Sequence, residues 1–151
     1  MNLIRSVTAA ALILLAVLPA TGCGGDNSDQ FREDYNAAVN KLSKINTDIG
    51  SATGGGPDQS NAAIAKEFNQ IADTAKQTRS DLVGLEPPEG AEEEFDELLS
   101  SLEKGVGDLR AVAKAARSNN PQRYNRAVEA LAESGREITA AETALKKAVD
   151  G

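Results

Sequence analysis

The chain carries a single thiol, Cys23, and no histidine. Cys23 stands in the stretch LPATGCGGD, Leu18 to Asp26, directly behind the small residues Ala20 and Gly22. A thiolate is intrinsically very nucleophilic, so this sulfur is the atom of the chain best suited to alkylation. The small residues beside it suit a peptidase that cuts between Gly22 and Cys23. Two other patterns offer chemistry. Ser101, Leu102, Glu103 and Lys104 have the S-x-x-K spacing in which lysine activates serine, but the companion S-D-N and K-T-G motifs are missing and both residues flank a plain apolar helix stripe. Glu92, Glu93, Glu94, Asp96 and Glu97 offer carboxylates to a calcium ion, yet they lack the alternating ligand loop of calcium sites and read as a solvated helix start.

The context of Cys23 decides which processing signal it belongs to. Ahead of it lie Met1 to Ser6 with one cation, Arg5, and then the uncharged run Val7 to Leu18. That run of twelve residues is shorter than the roughly 20 of a membrane-spanning helix and fits the about 7 to 15 of a signal-peptide core. Leu18, Pro19, Ala20, Thr21 and Gly22 also spell a sortase signal, but a polar, foldable chain follows where that signal needs a hydrophobic stop and a basic tail. Read back from Cys23, residues 20–23, ATGC, resemble the lipobox of bacterial lipoprotein precursors, with Ala20 where that family most often has Leu. The resemblance covers residues 1 to about 25. It implies a signal peptide over 1–22, a diacylglyceryl thioether on Cys23, and a tether over 23–27 leading to a domain held at the outer face of the cell membrane. An ordinary secretory peptidase would cut at the same bond and leave Cys23 an unpaired thiol in an oxidising compartment, an unusual thing to keep. In alanine content and helical layout the remaining chain resembles the small helical lipoproteins of high-GC Gram-positive bacteria, a likeness that carries no functional residue across.

Composition narrows what that domain does. Loss of Arg5 with the first 22 residues lowers the net charge from -7 to -8. Such a chain repels anionic lipid head groups and nucleic acid, so membrane attachment falls to the lipid and nucleic acid is not an expected partner. With no histidine and Met1 the only methionine, haem ligation, di-iron Glu-x-x-His pairs and zinc or copper sites lack their ligands. No cofactor is expected. Ser/His and Cys/His catalysis has no base, and the periodicity provides no inward-facing carboxylate pair. These absences point away from an enzyme.

Four helical segments account for the rest, about 28–49, 59–85, 89–118 and 121–149. Phe31, Tyr35, Ala38, Leu42, Ile45 and Ile49 recur at steps of three and four, with Asn27 or Ser28 as cap and Gly50 as stop. Ile64, Phe68, Ile71, Ala75, Thr78, Leu82 and Leu85 form a second seam, opened by Asp58 or Ser60 and closed by Pro87 and Pro88. The third face runs Phe95, Leu98, Leu99, Leu102, Val106, Leu109, Val112 and Ala116, behind an acidic first turn. Asn120 and Pro121 start the fourth, which carries Tyr124, Val128, Leu131, Ile138, Ala141 and Leu145. Short connections predict an all-α, antiparallel up-down-up-down four-helix bundle over 28–151.

The aromatics Phe31, Tyr35, Phe68, Phe95 and Tyr124 all fall on these apolar faces. They are expected in the core with the tyrosine hydroxyls at its margin, Phe31, Tyr35 and Phe95 at the end near the membrane and the other two away from it. Alternatively, small residues such as Ala113, Gly135 and Ala141 leave a slot between helices that these rings line. The expected function is therefore a non-catalytic interaction or structural module with an envelope protein as partner. The alternative is a carrier or sensor of an apolar ligand held between the helices.

Overall fold

The computed structural model describes residues 26–54 and 59–150. Over these residues the fold is all-α, built from α1 (Asp26–Thr53), α2 (Asn61–Val83), α3 (Glu92–Arg117) and α4 (Pro121–Asp150). Consecutive helices pack side by side as a bundle, and α1 meets α4 where Arg32 reaches Val149 and Asp150. The apolar stripes read from the sequence are buried, except Leu85 and Leu99, which are half-buried against the same single core. That core adds Val39, Ala52, Ala65, Ala72, Ala91, Ala113 and Ala115 to the expected stripes. Among the described residues Val83 alone is a large exposed hydrophobic.

Helix ends follow local hydrogen bonding. Ser60 caps α2, its hydroxyl accepting from the Ala63 N–H at 3.2 Å. Asn120 caps α4 by accepting from the Arg123 N–H at 3.0 Å. α3 has no side-chain cap at Ala91. Instead Gly90 turns at φ 87°, a left-handed conformation open to glycine, and its N–H donates to Glu92 Oε2 at 2.7 Å. The third helix therefore starts at Glu92 and not at 89. Asn119, at φ 51°, stops it.

Three expected boundaries are corrected. α1 does not stop at Gly50, because the Ser51 and Thr53 hydroxyls return to the carbonyls of Thr47 and Ile49 at 3.0 and 2.9 Å and Ala52 gains burial in the core. Glycine inside a helix costs only about 1 kcal/mol, which the burial of Ala52 helps to offset. α2 ends at Val83, before Leu85, since Gly84 caps it and the Leu85 N–H donates to the Leu82 carbonyl at 2.9 Å. At its other end α1 already begins at Asp26, inside the expected tether, so Asn27 and Ser28 lie within the helix and cannot be its cap.

Between α3 and α4 the packing is close. A Cβ on Gly105 would stand 3.2 Å from Ile138 Cδ1, tighter than ordinary contact. Gly135, singled out from the sequence, is buried on the facing helix. Beside this contact the buried Ser134 hydroxyl donates to Asp108 Oδ2 at 2.5 Å, and one turn on Lys104 Nζ is held by Glu137 at 2.6 Å.

Candidate functional site

Cys23 and Gly22 lie outside the described residues. Of the five aromatic positions, all are buried. Phe31 stacks on Tyr35 at 5.7 Å between ring centroids and meets Phe95 edge-on at 5.4 Å, so the structure gathers these three at one place, as their positions implied. Phe68 and Tyr124 are buried elsewhere in the core and take no part in that cluster. One expectation about them is corrected: Tyr35 is 1% exposed and so is not a marginal side chain.

Tyr35 leads to the most unusual polar site in the fold. It faces Glu142 of α4, whose negative charge reinforces burial in raising the phenol pKa above its ordinary value. Glu142 is itself 1% exposed, and neither carboxylate oxygen has a hydrogen-bond partner. Burial pushes its pKa up from 4.5 to about 7. An ionised carboxylate in apolar surroundings without a donor is costly, so burial shifts the group towards its protonated form. One turn before Tyr35, the buried Arg32 donates to the Val149 carbonyl at 3.1 Å and pairs with Asp150 at 3.4 Å. A guanidinium at the end of α4 satisfies a carbonyl that the helix leaves open and complements its dipole.

This seam escaped the sequence reading, although its period was there to be found. Leu131, Gly135, Ile138, Glu142, Leu145 and Val149 continue at alternating steps of four and three, and Arg32, Tyr35, Val39 and Leu42 do so on α1. Counting only apolar residues passes over a charged member of a stripe. The chemistry available is to take up or release a proton near neutrality and to accept a hydrogen bond from a donor brought into the seam.

The remaining candidates are ordinary. Lys104, the lysine of the S-x-x-K match, is exposed, and its hydrogen bond to Glu137 raises its pKa and keeps it an ammonium ion, unsuited to activating Ser101. Glu92, Glu93 and Glu94 form the first turn of α3. Among the described residues no three His, Cys, Asp or Glu side chains gather to hold a metal ion. No helix among them is long and apolar enough to cross a membrane. No family model, curated protein or solved structure matches the chain.

Proposed function

We propose that this is an exported lipoprotein, anchored by a lipid on Cys23 to the outer face of the cell membrane. On this reading its bundle is a non-catalytic interaction or structural module. The observation that carries the proposal is the only thiol of the chain standing directly behind ATG and an uncharged run of twelve residues. Two or more acyl chains, each buried methylene contributing about 0.8 kcal/mol, make a stable anchor where one chain is marginal. Because α1 begins at Asp26, the bundle would sit against the bilayer with little leash. Contacts of Arg32 with Val149, Arg79 with Glu103, and Lys104 with Glu137 support the antiparallel up-down-up-down layout, in which α1 and α3 both start at the membrane end. With the apolar faces turned inward, an envelope partner would meet a charged surface. Replacing Cys23 by Ser is expected to leave the signal peptide uncleaved and the chain without lipid. If the variant stays in the membrane with its signal peptide removed, the anchor is something else.

One observation favours a second reading, a carrier or sensor of an apolar ligand. The orphaned carboxyl of Glu142 lies on the face of α4 that meets Tyr35 and Arg32 of α1, and it would suit an apolar molecule bearing one hydrogen-bond donor. Native mass spectrometry of the protein taken from its own membranes in mild detergent tests this. A bound small molecule that Glu142→Leu abolishes supports it, and a bare acylated chain counts against it.

A further inference from the structure

Between Asp108 and Glu129 the sequence has five basic side chains, Arg110, Lys114, Arg117, Arg123 and Arg126, and no acidic one. All five are exposed, at the end of α3 and the start of α4. Arg110 approaches Asp73 at 3.5 Å. Among the described residues the other four form no ion pair. The acid on the N-terminal side of the segment, Asp108, is already engaged by Ser134. The Asn61 amide reaches Asn119 Oδ1 at 2.5 Å, fastening the start of α2 to the same turn.

The opposite end has the opposite charge, with seven acidic and no basic side chains from Glu86 to Glu97. Net charge suggests that any polyanion is repelled, but distance decides otherwise. Glu97 and Lys114 are separated by about 25 Å of helix, roughly three Debye lengths at physiological ionic strength. The Glu86–Glu97 acids are therefore screened from a polymer meeting the turn; of the nearer carboxylates, Asp73 pairs with Arg110, Asp108 accepts from Ser134, and Glu129 stands one turn beyond Arg126.

We propose that the α3–α4 turn is a docking surface for a linear phosphodiester polymer of the cell envelope that carries no bases. Arginine forks match phosphate oxygens, and a linear polyanion with closely spaced charges rewards binding by releasing condensed counterions. Nucleic acid shares that backbone chemistry, but single-stranded binders add aromatic platforms for the bases. The aromatic of this segment, Tyr124, is turned into the core. The proposal deepens the lipoprotein reading by naming a partner, and rests on it only for where the polymer lies.

The test uses the mature protein extracted in non-ionic detergent, with fluorescent poly(glycerol phosphate) as probe and single-stranded DNA and polygalacturonate as parallel arms. Wild type is expected to bind the glycerol phosphate polymer best, with a log–log salt slope of about -3 for four phosphates. Replacing Lys114, Arg117, Arg123 and Arg126 by Gln together should weaken binding at least about tenfold and flatten that slope. Gln at Lys44, Lys76, Arg136 and Lys147 removes the same charge elsewhere and should leave binding within about twofold. If the fourfold turn variant fails to fold, the single changes Arg117→Gln and Arg123→Gln should each lower the slope by about 0.7. Equal losses in both fourfold variants, no binding by wild type, or tighter binding of DNA or polygalacturonate would overturn the proposal. Binding is read without a membrane, so its failure leaves the anchor untouched, and a misassigned anchor leaves binding untouched.

Discussion

A buried carboxyl without a donor changes stability with pH in the opposite sense to a paired carboxylate. Glu142 ionises near 4.5 when the chain is unfolded and near 7 in the bundle. As pH rises between those values the unfolded state releases a proton that the folded state keeps. Stability that is complete below pH 4.5 should therefore fall by about 3 kcal/mol by the time the folded group has titrated. Glu142→Gln keeps the shape and removes the titration, so denaturant midpoints at pH 5 and pH 8 should differ for wild type and nearly coincide for the variant. An equal fall in both would assign the pH dependence to other groups. Asp81 and Glu133, whose pKa values are lowered by hydrogen bonds to Lys41 and Arg136, act in the opposite sense and at lower pH. The sequence did not announce this residue, because a single Glu at a stripe position looks like any solvated Glu until α1 closes over it.

For the helices, most of the organisation was legible because amphipathic spacing is a local property. The stripes on α2 and α3 were read with few omissions, and Asn120 with Pro121 marked the start of α4 as found. Ends without a strong cap were misread. Gly50 looked like a stop, but its effect depends on what Ala52 touches, which no local pattern encodes. Two predictions belong at this scale. Ser60→Ala and Asn120→Ala should each cost about 1 kcal/mol, measured by denaturant unfolding. Gly107 and Gly105 lie two residues apart on α3 but should respond oppositely. Gly107 is exposed with nothing near its missing Cβ, so Ala there should stabilise by up to about 1 kcal/mol. Gly105 faces Ile138 at 3.2 Å, so Leu there should destabilise by about 1–3 kcal/mol through overpacking. Similar responses at both positions would contradict the close α3–α4 approach.

Across the whole molecule, the outer surface is defined by charge. The bundle buries its apolar stripes inside and leaves an acidic end, a basic turn and a mixed flank outside, so it offers charge and not grease to its surroundings. On the proposed lipoprotein reading, a lipid on Cys23 would supply the membrane affinity that such a surface lacks. Bundle architecture was readable from four periodic segments with short connections. Which side chains close the α1–α4 seam was not, because that pairing joins residues more than 100 positions apart, as in Arg32 with Val149. Lipidation of Cys23 is tested by the intact mass of the protein extracted from its native membrane. The expected mass is that of a chain beginning at Cys23 and carrying a diacylglyceryl group, with or without a further acyl chain. A mass equal to unmodified residues 23–151, or to the uncut chain of 151 residues, would contradict it.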